Sequence, residues 1–171
     1  MVKKSYPKVF LDEALALEGV EDDIVAINRS AAVVKGGRRF SFSALAVVGN
    51  RDGYVGIGYG KAKEVPAAVE KSIKNGRRQL MRVERVGTSI PHMVEGVFCS
   101  SRVRLIPASP GTGIIAGKAV RKILELAGIR DILTKNYGST NALNVTKATL
   151  VALSQLSTQE TTERLRGVTV E

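Results

Sequence analysis

The chain has one cysteine, Cys99, and one histidine, His92. A single cysteine closes no internal disulfide, so the sequence does not read as a stapled secreted scaffold. One His and one Cys do not assemble a His/Cys zinc site, and no His-based triad has partners at suggestive spacing. No metal and no cofactor are expected. Tryptophan is absent and aromatics make up only 5%, which argues against a platform on which successive single-strand bases stack. No apolar run is long enough to cross a bilayer. Leu11–Val20 fails as a leader because Asp12, Glu13 and Glu18 break it. The expectation is a cytoplasmic protein without a membrane partner. No carboxylate pair sits in a glycine-framed loop, where general acid–base chemistry would be sought, so no enzyme is expected.

What is present is positive charge on an ordinary globular background. The 171 residues are 44% hydrophobic and carry a net charge of +10, enough for one domain or two small ones. Such a charge favours an anionic partner and says nothing of fold. It is also uneven. Residues 1–23 hold three lysines against six acids, whereas Arg29–Arg85 holds thirteen Lys/Arg against four acids, a net +9.

The hydrophobic pattern divides the chain in two. Residues 1–20 read as a tail, with a weak amphipathic pattern over Phe10–Val20. A first strand begins at Ile24 and runs to Val34, and Lys35-Gly36-Gly37-Arg38 is a hairpin tip. Phe40 and Phe42 alternate with serine and read as core. Leu45–Val48 is apolar on both faces, the mark of a central strand. Gly56, Gly58 and Gly60 share one face of a third strand, Tyr54–Gly60, where a helix could approach closely. Pro66 suits the first turn of a helix running to about Val83, with Val69, Ile73, Gly76 and Leu80 as its buried stripe. Residues 21–85 thus form a β-β-β-α unit. Residues 86–157 read as β-β-α-β-α with a core of their own. The helix after Gly113 buries Ile115, Ala119, Val120, Ile123, Leu124 and Ala127, and Gly128 caps it. Residues 158–171 read as a polar tail. The fold class is α+β: a three-stranded sheet with a helix, then a small α/β domain.

Two cationic clusters sit at element ends. The first is the tip, where Lys35, Arg38 and Arg39, with Arg29 lower on the hairpin, would meet phosphates while Gly36 and Gly37 permit the turn and close approach. Arginine binds phosphate bidentately and stacks on bases. The second is Lys61 and Lys63, placed at the opening of a helix whose N-terminus attracts phosphate, continued by Lys71, Lys74, Arg77 and Arg78. Double-stranded-RNA-binding domains carry a similar lysine cluster. In the second unit Gly111, Thr112, Gly113, Gly138 and Ser139 offer loop N–H groups to a phosphate or a partner's carboxylate, and Lys118, Arg121 and Lys122 form a smaller basic patch. Two nucleotide-loop lookalikes fail. Gly56–Lys61 is preceded by Val55 and followed by Ala62. Gly113–Lys118 is preceded by Thr112 and followed by Ala119, where a Ser or Thr should hold magnesium.

Taken together, Lys35-Gly36-Gly37-Arg38-Arg39-Phe40-Ser41-Phe42-Ser43-Ala44-Leu45, Gly53-Tyr54-Val55-Gly56-Ile57-Gly58-Tyr59-Gly60-Lys61-Ala62-Lys63-Glu64-Val65-Pro66, Pro107–Gly117 and Tyr137-Gly138-Ser139-Thr140-Asn141 closely resemble the bacterial small-subunit ribosomal protein S-five family. The likeness runs from about Asp23 to Leu156. It implies an N-terminal domain like a truncated double-stranded-RNA-binding domain and a C-terminal α/β domain with a left-handed crossover. It also implies small-subunit ribosomal RNA as ligand, proteins S-four and S-eight as neighbours, messenger RNA nearby, and a projecting hairpin at Asn28–Arg39. In the family, variation in that hairpin is associated with spectinomycin resistance, and the interface with S-four with decoding accuracy. Lys118 stands where the family commonly has Gly, and Ala142 where Pro is frequent after Asn141. The expected role is a ribosomal RNA-binding constituent supporting subunit assembly, messenger entry and accuracy. The alternative is a free-standing double-stranded-RNA-binding module.

Overall fold

The computed structural model describes residues 19–167; the N-terminal tail and nearly all of the Phe10–Val20 pattern lie outside them. Strands β1 (Glu21–Val34), β2 (Gly37–Gly49) and β3 (Tyr54–Ala62) form an antiparallel meander. The helix α1 (Val65–Arg77) follows. A two-residue strand, β4 (Met81–Arg82), then pairs with Tyr54 and Val55. The sheet therefore has four strands in sequential order rather than three. Helix α1 stops at Arg77, short of Val83. Beyond it the apolar spacing changes to period two: Met81 and Val83 are buried and Arg82 is exposed, which is a strand signature.

β2 is central and its two faces pack against different layers. Residues opposite each other on paired strands share a face. Val48 pairs with Gly56, Ala46 with Gly58 and Ala44 with Gly60, so this face is lined by small residues and receives α1. A Cβ at Gly56 would stand 2.7 Å from the Gly76 carbonyl oxygen, and one at Gly60 2.6 Å from Ser72 N. The helix buries Ala68, Ser72 and Gly76 against these glycines. Its buried stripe is thus one residue earlier than Val69 and Ile73, both of which are half-buried. The smallest side chains face the sheet because the backbones lie too close for larger ones.

The second sheet is built from β5 (Val94–Phe98), β6 (Ser101–Pro107), β7 (Ile114–Ile115) and β8 (Ile132–Gly138), in the order β5-β6-β8-β7. β7 and β8 are parallel and joined through α2 (Lys118–Leu126). Ile115 belongs to β7 and is exposed, so it is not part of the buried helix stripe. β8 also extends past Leu133 through Tyr137 and Gly138, which close the strand rather than open a loop. Helix α3 (Ala142–Leu153) packs on β5 and β6. Its start is fixed by Asn141, whose side chain accepts from Leu143 N at 3.1 Å, so the entry is capped without a proline. Within the expected C-terminal tail, of which residues 158–167 are described, the chain instead forms α4 (Gln159–Arg166). Thr158 caps it by accepting from Thr161 N at 3.3 Å, and Gly167 closes it at φ 66. α4 buries no residue, which is why its hydrophobic pattern is silent.

The two sheets share one apolar cluster. Val47, Val55 and Ile57 of the first sheet join Val103 and Leu105 of the second, with Ile123 and Leu124 of α2 and Val145 of α3. The second unit therefore does not keep a separate core. Polar links reinforce the junction. The β2–β3 turn donates Arg51 N to Leu126 O at 2.9 Å and Gly53 N to Ala127 O at 3.1 Å. β1 carries an irregularity between Ile24 and Ala26, a local bend of the kind a β-bulge makes. There Lys122 Nζ donates to Ile24 O at 2.7 Å and to Asp23 Oδ1 at 2.5 Å.

Candidate nucleic-acid interface

Residues 27–40 are exposed along their whole length. They form a two-stranded ribbon, the outer part of β1 and β2, projecting beyond the packed sheet. An isolated hairpin is marginal in water, and this one is held by unbroken pairing from Ala26↔Leu45 to Val34↔Gly37, continuing the packed sheet below it. Gly36 at the tip has φ 95, a conformation that side chains with a Cβ rarely adopt. From Ile24 to Asn50 there is no acid, and the cations are Arg29, Lys35, Arg38 and Arg39. The ribbon is a one-sign electrostatic projection.

Its two faces differ. Arg29 stands opposite Phe42, Ala31 opposite Phe40 and Val33 opposite Arg38. These residues share a face, and by the register of β2 it is the face on which α1 packs. The other face carries Asn28, Ser30, Ser41, Ser43 and Arg39. Arg38 and Arg39 therefore point to opposite sides. Phe40 is 43% exposed and is not core: it lies in the unsupported part of the ribbon, with no layer above it among the described residues. The Arg29 guanidinium sits 4.8 Å from its ring centroid, which gives the face a stacked aromatic–cation pair. Alternation across two strands was the available signal for that pair, and it shows only once the register is known.

The second cationic cluster is differently arranged from the expectation. Lys61 lies within β3, opposite Ser43, and Lys63 precedes the helix. The helix begins at Val65, with Glu64 at its N-cap and no side-chain cap. A carboxylate thus flanks the helix N-terminus, and the two lysines act from the strand end and the turn. Lys61, Lys63, Lys71, Lys74, Arg77 and Arg78 are all exposed.

In the second unit most of the proposed donors are already used. The buried Asp131 carboxylate accepts from Gly111 N at 3.0 Å and Gly113 N at 2.9 Å, and Thr112 N donates to Ser109 O. Ser139 N donates to Ser100 O at 3.0 Å, and Ser139 O accepts from Ser101 Oγ at 2.7 Å. These N–H groups are not open to a phosphate or to a partner; they hold their own loops. Gly138, at φ 73, fits where an added Cβ would overlap Ser100 O. Lys122 is tied to Asp23 and Ile24, leaving Lys118 and Arg121 as the exposed cations of α2. Asp23, through Lys122, and Glu21, which pairs with Arg51 at 2.8 Å, are ion-pair partners within the fold.

Asp131 gives a testable consequence. A hydrogen bond from the Thr88 side chain, then those from the Gly113 and Gly111 amides, holds its carboxyl below the ordinary aspartate value, against the opposing effect of burial. A depressed folded value means that the ionised group favours the fold above the unfolded pKa, about 3.9, and that this contribution is lost as the pH falls below it. The urea midpoint should fall more steeply below pH 4 in the parent than in Asp131→Asn, which no longer titrates. Identical acid profiles would remove Asp131 as the loop's anchor.

Among the described residues no group of three His, Cys, Asp or Glu is placed to hold a metal, and no helix is long and apolar enough to cross a membrane.

Comparison with known proteins accords with this architecture. The family model for ribosomal protein S5, N-terminal domain, matches residues 20–84, and that for ribosomal protein S5, C-terminal domain, matches residues 96–166. The small ribosomal subunit protein uS5 of Nocardia farcinica is 55% identical over 148 residues, covering 86% of this chain and 68% of that protein. The protein of the same name from Rhodopirellula baltica is 56% identical over 150 residues, covering 88% and 85%. With both halves of the fold matched in order, the chain belongs to the ribosomal protein S5 family, whose members are structural, non-enzymatic ribosomal components.

Proposed function

We propose that this chain is a structural constituent of the small ribosomal subunit, working in the cytoplasm within that ribonucleoprotein, and that it binds ribosomal RNA through the β1–β2 ribbon and the exposed basic face of α1. The observation that carries the reading is the ribbon: fully exposed from residue 27 to 40, free of acid, with four cations. Arg29, Lys35, Arg38 and Arg39 contact phosphate or stack on bases. Lys61, Lys63, Lys71, Lys74, Arg77 and Arg78 extend the contact along the strand end and the helix. In this reading the chain supports subunit assembly, messenger entry and accuracy of decoding. Its neighbours are proteins S-four and S-eight, with messenger RNA nearby. Residues 21–85 carry most of the RNA affinity, and residues 86–157 serve mainly protein contact through the Pro107–Gly113 loop and the exposed Lys118 and Arg121.

RNA affinity should fall steeply with salt, because each phosphate contact releases a counterion. Filter binding of the full chain to small-subunit ribosomal RNA, titrated from about 50 to 200 mM salt, should lose on the order of 10³-fold or more if six or more phosphates are engaged. A flat titration would remove the phosphate-binding reading. Sedimentation separates it from the alternative of a free-standing double-stranded-RNA-binding module: a ribosomal constituent migrates with the small subunit, and a free module stays in the light fractions.

A further inference from the structure

At the junction of the two sheets lies a cavity of about 370 Å³, lined by three guanidinium groups, Arg51, Arg85 and Arg130, together with the Gly87–Thr88 turn and Glu125. No residue of the projecting ribbon or of α1 lines it. Guanidinium groups do not shed their protons in proteins, so three of them around one cavity repel one another unless an anion or a counter-charge intervenes. Two have a carboxylate of their own. Arg51 pairs with Glu21 at 2.8 Å, and Arg85 pairs with Asp52. Arg130 makes no ion pair among the described residues, and Glu125 reaches none of the three arginines at ion-pair distance. The lining carries three positive charges against one negative.

The turn supplies further donors. Val86 and Ser89 exchange backbone hydrogen bonds at 3.0 and 3.1 Å, which fixes Gly87 and Thr88 as the two turn residues, with Gly87 at φ 58. The N–H groups of these two donate to no acceptor among the described residues. Guanidinium forks beside unused backbone N–H groups match the chemistry of a phosphate's non-bridging oxygens.

We propose that this cavity is a second phosphate seat, which receives one backbone phosphate of RNA at the junction between the two sheets, with Arg130 as the principal ligand and Arg51 and Arg85 as partly neutralised supports. The inference rests on the RNA-binding reading above and adds a contact away from the ribbon. Such a contact would fix the two sheets relative to the RNA as one body.

The test uses the full chain and two probes. Inorganic phosphate titrated into 15N-labelled protein should produce saturable shifts of the Gly87 and Thr88 amides and of the Arg130 side-chain N–H. In Arg130→Gln, whose parent side chain makes no ion pair in the fold, those shifts should vanish. In RNA binding, Arg130→Gln should lower the log–log salt slope by about one, while the parent keeps its full slope. If Arg130→Gln binds RNA with the parent's slope while reversing Arg38 still weakens binding, the second seat is wrong and the ribbon stands. If the parent itself is insensitive to salt, the RNA reading fails first. If acetate reproduces the phosphate shifts and the RNA slope is untouched by Arg130→Gln, the seat belongs to a protein carboxylate and the proposal falls.

Discussion

Gly58→Ala should destabilise the fold by about 3–5 kcal/mol, near the upper end of single substitutions. The added methyl would overlap the Ser72 carbonyl oxygen and the Gly76 amide nitrogen. Both are backbone atoms of α1, so no rotamer change clears them. Helix and strand must separate, and the neighbouring glycine contacts open with them. Ordinary overpacking costs about 1–3 kcal/mol because side chains yield; here the backbone would have to move. Gly117→Ala is the matched control, since the nearest atom to its Cβ is Asn136 Nδ2 at 3.5 Å. Gly117 is the N-cap of α2, and losing a cap glycine costs only about 1 kcal/mol. Equilibrium urea denaturation of the two variants decides the matter. A Gly58→Ala midpoint close to that of Gly117→Ala would mean that the sheet–helix gap is wider than the glycine face implies.

That glycine face was legible in the sequence, because three glycines at period two have few other uses in a strand. The two-faced apolar run Leu45–Val48 was legible for the same kind of reason: only a strand covered on both sides tolerates it. Other elements left weaker traces. The end of α1 was masked because Leu80, just beyond it, is buried with Val48 and has Ile73 packed against the pair, so the buried helical spacing runs on after the helix has stopped. β7 is two residues long, too short for any period to register. α4 buries nothing and so carries no hydrophobic signal. The largest gap concerns hydrogen bonds across long sequence separations. Gly111 and Gly113 looked like free donors, but their acceptor is Asp131, twenty and eighteen residues further along. The same holds for Lys122, whose partner Asp23 lies 99 residues earlier. Charge type can be read locally; whether a charge is spent inside the fold cannot. The ribbon cations escaped this problem because, among the described residues, no layer lies over the hairpin.

Reversing the two arginines at the ribbon tip should produce the largest functional effect. Arg38→Glu with Arg39→Glu converts an acid-free projection carrying four cations into one of two cations and two anions. The two residues point to opposite faces, so the double change tests both sides of the ribbon. A lost charge-assisted contact is worth about 1.5–3 kcal/mol, and introduced carboxylates add repulsion from phosphate. RNA affinity near 100 mM salt should fall by on the order of a hundredfold or more, with a shallower salt slope. Both side chains are exposed, so the urea midpoint should stay near that of the parent. Assembly should follow affinity: the variant should be depleted from small-subunit fractions in a gradient. Arg164→Glu on α4 is the matched control. It is exposed and makes no ion pair among the described residues, and it lies outside the proposed interface. If the net charge of the chain alone drove binding, one reversal at Arg164 would cost half as much, on a logarithmic scale, as the double reversal at the tip. If the ribbon is the contact, Arg164→Glu should leave incorporation near the parent level. Proportional losses would replace the site-specific reading with a diffuse electrostatic one.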